Sequence, residues 1–310
     1  MPSSALDNDK PDAMKRLSAN PYLLLTLTAL FWAGNMVLGR GIRADVPPIA
    51  LAFWRWTIAL ALVLPFALPH LREQWPRLRA AWRPLLLLGA LGVGGYNTFA
   101  YIALQYTTAT NATLINSFIP IATIAMAFLL FGKRLSKLEA WGVVVSLAGV
   151  ITIVSRGSLD TLLGLSLNAG DLWMLAAVLV WGLYTVGLQW RPQGVDPMLM
   201  LAAMTVIGLA ILAPIYVWEL STGRHIQLSF AAVSGILYTG IFPGFLGYVF
   251  YNAGVAAVGP GRASLFIHLM PVFGIILAAI FLGERPFAYH FVGIGLVFIG
   301  IALTTRRPAT

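Results

Sequence analysis

One segment of the chain occurs twice, and this internal repeat limits the possible folds more than any other feature of the sequence. Pro120 to Gly142 reads PIATIAMAFLLFGKRLSKLEAWG, and Pro271 to Gly293 reads PVFGIILAAIFLGERPFAYHFVG. A shift of 151 residues aligns the copies without a gap and also pairs Gly132 with Gly283, Arg134 with Arg285 and Gly149 with Gly300. We therefore expect two halves of the same architecture.

Ten apolar runs in the chain are long enough to cross a bilayer. The composition is 59% hydrophobic and only 10% charged, whereas soluble domains carry roughly 25% charged residues. A transmembrane helix needs about 17 to 25 apolar residues, and such runs cover residues 22–39, 47–68, 84–104, 110–131, 138–154, 171–190, 197–218, 229–256, 260–282 and 287–304. The sequence predicts an all-α polytopic membrane protein with ten transmembrane helices.

These helices divide into five for each copy of the repeat. We assign residues 21–157 to the first five-helix repeat and residues 158–310 to the second. Residues 1–20 are polar and lack the apolar core and cleavage site of a signal peptide, so we expect a disordered cytoplasmic tail. The chain has no cysteine, and its 4 histidines are scattered. We therefore expect no metal site and no cofactor.

Lysine and arginine residues concentrate in alternate loops. With the N-terminus in the cytoplasm, the cytoplasmic segments hold 14 of the 20 basic residues and the external segments hold 5, with Arg55 inside a predicted helix. Because positive charges favour the cytoplasmic side, we expect both termini there. The net charge of +9 then reflects topology, and no motif for binding nucleic acid accompanies it.

Five helices per half is an odd number, so the second half must enter the membrane from the opposite side. The halves then form an inverted repeat about an axis in the membrane plane. The loop GKRLSK is expected inside and its equivalent GERPFA outside, and the second has lost most of its positive charge. Inverted repeats place a small-molecule site near the midplane, so we expect a central cavity between the halves. A monomer is compatible with this plan.

The first and sixth helices carry candidate cavity residues at equivalent positions. Trp32 and Asn35 are three residues apart in the first, and a shift of 149 places Trp181 and Tyr184 opposite them. This spacing puts both members of a pair on one helix face. For the two tryptophans, the alternatives are the aromatic belt at the headgroups and packing against lipid or core. A cavity wall is the third interpretation.

The third and eighth helices carry a second set. Asn97 and Tyr101 are four residues apart, Tyr96 adjoins them, and the shift of 151 aligns the pair with Tyr248 and Asn252. The Asn–Tyr pair is thus kept with its members exchanged. Amides that face lipid are costly, so we expect this face to line the cavity, although the tyrosines could also belong to the aromatic belt.

Two ionisable residues lie near mid-membrane. Arg55 in AFWRWTIA would cost about 2.5–3.5 kcal/mol if it faced lipid; it either ties its helix to carbonyls and amides of a neighbour or binds a substrate carboxylate. His268 in FIHLMP aligns with Ser117 and is either a satisfied buried histidine or a ligand for substrate or protons. No Asp or Glu lies in the interior of a predicted span, which argues against a conventional acid relay.

The segments LFWAGNMVLGR, PIALAFWRWTIA and the paired Pro…GKR…G and Pro…GER…G motifs resemble the EamA branch of the drug/metabolite transporter superfamily. The resemblance covers nearly the whole chain and is closest to bacterial inner-membrane exporters of amino acids, including aromatic ones. It implies a cavity enclosed by helices 1–4 and 6–9, with helices 5 and 10 peripheral, and no enzymatic activity. The first copy departs from it by reading GKR where the motif would read GER.

The candidate residues discriminate between substrate classes. A nucleotide sugar needs several cations for its phosphates, whereas an apolar or aromatic amino acid needs one polar clamp and an aromatic wall. We therefore predict export of neutral, largely hydrophobic or aromatic amino acids and related metabolites, with the two halves rocking about a midplane site. A broader exporter of drug-like or purine-like metabolites is the alternative. An intramembrane metalloprotease is disfavoured because HExxH is absent.

Overall fold

Ten apolar helices long enough to cross a membrane are present in the computed structural model, which describes residues 20–164, 168–282 and 286–305. They are α1 Pro21–Gly41, α2 Pro48–Ala80, α3 Trp82–Tyr106, α4 in the segments Ala109–Asn116 and Ile119–Phe131, α5 Lys137–Val154, α6 Ala169–Trp190, α7 Pro197–Ser221, α8 Phe230–Val258, α9 in the segments Pro260–Leu265, Phe266–His268 and Leu269–Leu282, and α10 Ala288–Thr305. The prediction of ten transmembrane helices is confirmed. The expected tail, apart from Asn20, and the GER residues Gly283, Glu284 and Arg285 lie outside the described residues.

The largest boundary difference is in α2. The apolar run predicts a helix to residue 68, but the helix continues through the polar segment up to Ala80 and contains Pro65, Pro69 and Pro76. At 1.5 Å per residue, its 33 residues extend about 50 Å, more than the roughly 30 Å hydrocarbon core. Hydropathy marks where a helix must be apolar, not where it must end. The short helix Leu159–Leu163 lies between two predicted transmembrane runs and is too short to be found from apolar length.

Local signals account for where several helices begin. The Asn20 side chain accepts hydrogen bonds from the backbone of Tyr22 and Leu23 at the start of α1. Capping boxes, in which the N-cap side chain and an acidic residue three positions later bond reciprocally to the backbone, start α5 at Ser136 and α6 at Asn168. Asp196 and Ser229 cap α7 and α8.

The third helix of each half is interrupted at the same place. Gly89–Gly95 in α3 and Gly240–Leu246 in α8 are both seven-residue π-helical segments. The shift of 151 maps one segment onto the other, end to end. A π-helical turn frees backbone carbonyls from the regular α-helical ladder. Each half therefore offers carbonyl groups at one matched depth.

The two halves interlock. In the first half, α1 packs against α8 and α9, and α2 packs against the π segment of α8; in the second half, α6 packs against α3 and α4, and α7 against the π segment of α3. The second set of contacts is the first with the halves exchanged. The helices thus form two mixed bundles, one of α1, α2, α8 and α9 and the other of α3, α4, α6 and α7, and the bundles are joined to each other by extensive packing of α2 against α7.

The fifth helices of the two halves, α5 and α10, pack directly against each other. A Cβ atom added at Gly142 would lie 2.6 Å from the carbonyl oxygen of Gly300, and one at Gly149 would lie 2.6 Å from that of Gly293. Because Gly142 is equivalent to Gly293 and Gly149 to Gly300, the contact is self-complementary, as two-fold symmetry requires. The repeated glycines found in the sequence are the residues that permit this close helix crossing.

Candidate functional site

Arg55 lies at the centre of the predicted site and is 1% exposed. Its Nη1 donates to Asn35 Oδ1 at 3.2 Å, to Asn97 Oδ1 at 2.8 Å and to the Tyr101 hydroxyl at 2.9 Å. Its Nη2 donates to the carbonyl oxygen of Pro243 at 3.1 Å. The guanidinium therefore joins α1, α2, α3 and the π segment of α8, and it crosses from one half of the chain to the other.

The hydrogen-bonding capacity of the Arg55 guanidinium is not fully satisfied. Of its five N–H groups, the buried Nε has no hydrogen-bond partner among the described residues. The indole Nε1 of the adjacent Trp56 is also buried without one, and the Arg55 Cζ lies 5.4 Å from the Trp56 ring centroid. Both unsatisfied groups are donors, so the missing partner is an acceptor. A buried donor without a partner costs about 1–3 kcal/mol.

No carboxylate balances the Arg55 charge within the described chain. Among the described Lys and Arg side chains, Arg262 forms an ion pair with Glu139 at 2.9 Å, whereas Arg55 has no such partner. Arg55 instead bonds to amide, hydroxyl and carbonyl oxygens, which carry no net charge. Burying a charge without a counter-ion is expensive. Within the described residues, the polar centre therefore carries a positive charge with no acidic partner.

Aromatic side chains surround this polar centre. Trp32 and Trp181, the equivalent residues of α1 and α6, meet edge to face with their ring centroids 4.9 Å apart. Tyr96 lies 4.7 Å from Trp181, and Tyr248 and Tyr251 lie 5.5 Å and 5.2 Å from it. These contacts exclude the headgroup belt for both tryptophans. The cluster joins both mixed bundles in one apolar wall.

The predicted cavity is closed by these side chains in the structure. Trp181 and Tyr248 are each 1% exposed and Trp32 is 8% exposed, so a water-sized sphere scarcely reaches them. By contrast, Trp75 and Trp141 face outward and are 56% and 65% exposed. The centre is thus in an occluded arrangement, in which a substrate would have to displace packed rings.

The two π segments present carbonyl oxygens to the site. Gly92 and Pro243 are equivalent by the shift of 151. The Pro243 oxygen accepts from Trp32 Nε1 at 3.2 Å and from Arg55, and the Gly92 oxygen accepts from the Tyr248 hydroxyl. Sequence reasoning did not identify these carbonyls. The matched glycine-rich segments were the available signal.

The exchange of Asn and Tyr between the halves corresponds to two equivalent hydrogen bonds. In the first half, the Tyr101 hydroxyl of α3 donates to Asn35 Oδ1 of α1 at 2.7 Å. In the second half, the Tyr184 hydroxyl of α6 donates to Asn252 Oδ1 of α8 at 2.8 Å. Each half therefore ties its first helix to its third by a tyrosine–asparagine bond.

The cation has no counterpart in the second half. Gly240 packs against Ile58 and the carbonyl oxygen of Arg55, and the equivalent Gly89 packs against Ile207 and the carbonyl oxygen of Met204. These matched contacts place Met204 at the position equivalent to Arg55. The two halves share a backbone plan but differ in charge at the site.

His268 lies apart from the Arg55 network. Its Nδ1 is 2.8 Å from Ser146 Oγ in α5, and its Nε2 is 2.8 Å from the carbonyl oxygen of Ser117. Both ring nitrogens are thus engaged with protein groups, one in α5 and the other at the break of α4. The structure brings the other ten predicted residues into one connected region, whereas the contacts of His268 are with α4 and α5.

Three further side chains join the site without having been predicted. Trp56 meets Tyr248 edge to face at 4.6 Å, Tyr251 is hydrogen-bonded to Thr185 at 3.0 Å, and Asn116 accepts from Tyr96 at 2.9 Å. Trp56 sits in the WRW triplet around Arg55, and Tyr251 lies three residues after Tyr248. Helical spacing from Tyr248 could have identified Tyr251, whereas Trp56 and Asn116 had no such spacing to mark them.

Several named transporters are similar over nearly their full length. A Bacillus subtilis protein, uncharacterized transporter YyaM, is 27% identical over 292 residues, with 93% of each chain covered. An uncharacterized transporter of Archaeoglobus fulgidus is 29% identical, covering 94% of this chain and 99% of its own. A probable terminal-alkyne amino-acid exporter of Streptantibioticus cattleyicolor is 26% identical, with 91% and 92% covered.

A solved crystal structure has the same fold, with a TM-score of 0.71 over 91% of this chain and 95% of that one, at 20% sequence identity. The profile of the EamA-like transporter family matches this sequence twice, at residues 20–155 and 168–306. Those two matches contain the two copies of the internal repeat. With ten membrane-spanning helices in two interlocked halves and a matching profile over most of its length, the chain belongs to the EamA-like transporter family and is a multi-pass membrane transporter.

Proposed function

We propose that this transporter exports neutral, largely hydrophobic or aromatic amino acids and related metabolites by alternating access. The single observation that carries the proposal is the buried Arg55 guanidinium, which has no acidic partner among the described residues and an unsatisfied Nε beside an aromatic cluster. A carboxylate would satisfy that donor and neutralise the charge together.

Arg55 would bind the carboxylate through the edge of the guanidinium formed by Nε and Nη2. Nε is unpartnered, and Nη2 has one acceptor for its two hydrogens. A guanidinium binds a carboxylate best through two parallel N–H bonds, and this edge supplies them. The orphaned Trp56 Nε1 is a third donor in the same region.

The side chain of the substrate would replace ring–ring contacts in the aromatic cluster. Trp32, Trp181 and Tyr251 lie within 5.2 Å of one another by ring centroids. Pockets for apolar ligands combine such walls with a few fixed polar groups. An aromatic or branched side chain can take the place of these contacts with little loss of packing.

The packing indicates which parts would move. Our expectation from sequence was that the two sequence halves rock against each other. Because α1 packs on α8 and α9, and α6 on α3 and α4, the moving units would instead be the two mixed bundles. The inverted repeat makes the two bundles equivalent, which allows both an inward-open and an outward-open state.

We place the protein in the inner membrane of a bacterium, with both termini in the cytoplasm. The distribution of 14 basic residues against 5 supports this orientation, and two of the similar transporters named above are bacterial. Export is supported by the name of the Streptantibioticus cattleyicolor relative.

Purified protein in liposomes tests the proposal directly. Vesicles loaded with a labelled set of amino acids should release phenylalanine, leucine and similar compounds faster than protein-free vesicles. Trp181→Ala and Tyr101→Ala should slow this release while the protein inserts normally. Release of phosphorylated compounds or free purines, but no amino acids, would refute it. A purine has no carboxylate for Arg55, so this outcome would favour the broader metabolite exporter.

A further inference from the structure

We infer that the site recognises a carboxylate but, among the described residues, has no anionic group to balance an ammonium, so that its substrate class is amphipathic monocarboxylates for which an amino group is dispensable. This inference rests on the proposed binding of a carboxylate at Arg55. It adds the chemistry of the rest of the ligand, which the proposed function leaves open.

The first argument is the position of the acidic residues. Of the 11 Asp and Glu residues in the sequence, three lie within residues 1–19, Glu284 is likewise outside the described chain, and the other seven are Asp45, Glu73, Glu139, Asp160, Asp171, Asp196 and Glu219. Where these carboxylates accept hydrogen bonds, the donors lie in loops and at helix starts. Glu219 accepts from the first turn of α2, and Asp196 accepts from the first turn of α7. None of the seven is hydrogen-bonded to the aromatic and amide residues around Arg55.

The second argument is the state of the acceptors. Four side-chain amide oxygens lie in the site, and each already accepts a hydrogen bond: those of Asn35, Asn97, Asn116 and Asn252. The π-segment oxygens of Gly92 and Pro243 are engaged as well. An ammonium has three N–H donors and no acceptor. In the site it would have to share neutral oxygens that already accept from Arg55, a tryptophan or a tyrosine, and none of these oxygens carries the negative charge that would balance it.

The third argument is the contrast between donors and acceptors. The unsatisfied groups next to the guanidinium, Arg55 Nε and Trp56 Nε1, are both donors. A monocarboxylate supplies acceptors alone and brings the net charge of the site to zero. A zwitterion supplies the same acceptors but leaves one buried positive charge, for which the described site offers neutral oxygens and the faces of aromatic rings but no carboxylate. The site therefore favours the ligand without the ammonium.

Three ligands of matched size test this inference. 3-Phenylpropanoate is phenylalanine without its amino group, and 2-phenylethylamine is phenylalanine without its carboxylate. Binding to the purified full-length protein would be followed through the fluorescence of the buried Trp32, Trp56 and Trp181, and release of each labelled compound from proteoliposomes would be measured at pH 7. Protein-free vesicles correct for diffusion of the protonated acid.

We expect 3-phenylpropanoate to bind with a Kd no higher than that of phenylalanine, and up to about ten-fold lower, and to be released at least as fast. We expect no binding of 2-phenylethylamine and no release of it beyond that from protein-free vesicles. Arg55→Met, which copies the residue of the second half at this position, should abolish binding of both carboxylates, and Arg55→Lys should retain part of it. If Arg55→Met fails to fold, the Arg55→Lys variant and the three ligands on the unaltered protein still test the inference.

The outcomes separate this inference from the proposed function. If phenylalanine binds and is released but 3-phenylpropanoate is not, an ammonium is required; the inference is then wrong and the proposed function stands. Binding of 2-phenylethylamine would overturn it as well. If neither carboxylate binds or is released, while other labelled metabolites are, the proposed function itself fails.

Discussion

Asn97 and Tyr248 occupy equivalent positions in the two halves of this transporter and contact each other, with Asn97 Nδ2 donating to the Tyr248 hydroxyl at 3.3 Å. Under two-fold symmetry, a residue meets its own equivalent only at the axis. Ser117 and His268, also 151 residues apart, meet in the same way. The pseudo-two-fold axis therefore passes through the polar network, and the Arg55 guanidinium breaks the symmetry beside it.

Replacing Arg55 tests the origin of substrate binding. Arg55→Met should reduce transport by at least about 30-fold, because it removes the carboxylate-binding cation and its charged hydrogen bonds, worth about 2–5 kcal/mol. Arg55→Lys should lose less, since it keeps the charge but not the bidentate edge. Release from proteoliposomes measures the effect. Unaltered transport by a folded Arg55→Met variant would exclude Arg55 as the anchor.

The two tyrosine–asparagine bonds form a matched pair for mutation. Tyr101→Phe and Tyr184→Phe each remove one hydroxyl and one hydrogen bond to an asparagine, so each should lower stability by about 0.5–1.5 kcal/mol. Only the Tyr101 hydroxyl also contacts Arg55. We therefore expect Tyr101→Phe to slow transport several-fold more than Tyr184→Phe at similar loss of thermal stability. Equal effects on transport would contradict an asymmetric site.

Two glycines on α5 and α10 should respond oppositely to the same substitution. Gly149→Ala places a methyl group 2.6 Å from the carbonyl oxygen of Gly293 and 2.8 Å from the backbone nitrogen of Val297, so it should destabilise by about 1–3 kcal/mol. At Gly295, nothing lies within 4 Å of an added Cβ, and alanine should be neutral or stabilising there. Thermal unfolding in detergent distinguishes them. A Gly149→Ala variant as stable as the unaltered protein would show that the helices separate more easily than their packing indicates.

His268 provides a test of structural against transport roles. His268→Gln should lower the free energy of unfolding by about 1–3 kcal/mol, because one of its two buried partners, Ser146 or the Ser117 carbonyl, loses its bond. Transport per folded molecule should be nearly unchanged. The measurements are thermal stability in detergent and release of substrate from proteoliposomes. Normal stability with lost transport would instead support the proton or substrate role that the sequence left open.

The orientation in the membrane can be tested on a natural cysteine-free background. Lys133→Cys lies in the loop expected inside, and Arg224→Cys in a loop expected outside; both positions are exposed. A membrane-impermeant maleimide should label only the residue-224 variant in intact cells and both variants after the membrane is opened. The reverse pattern would place both termini outside the cytoplasm.

Much of the architecture follows from local sequence properties. A transmembrane helix requires a sufficiently long apolar run, and the ten apolar runs correspond to ten helices in the structure. The shift of 151 paired Asn97 with Tyr248 before their contact was known. Spacing of three and four residues placed Trp32 with Asn35 and Asn97 with Tyr101, because residues on one helix face depend on that helix alone.

Other features depend on contacts between residues far apart in the chain. Whether Arg55 ties helices together or binds a ligand could not be read from its own helix, because its acceptor Pro243 lies 188 residues away. Likewise, the sequence could not show that His268 contacts α4 and α5 and not the Arg55 network. Nor could it show that helices of different halves pack into mixed bundles.

The sequence by itself therefore determined the ten helices, their inverted repeat and the helix faces that carry the candidate site, since each is encoded by periodicity within one helix or by comparison of two. Only the tertiary structure decided that the cavity is closed by packed rings, that two π-helical carbonyls face it, and that the Arg55 charge lacks an acidic partner in the described chain. Those properties arise where helices from different halves meet, and side-chain packing and hydrogen bonding across that boundary have no local signature.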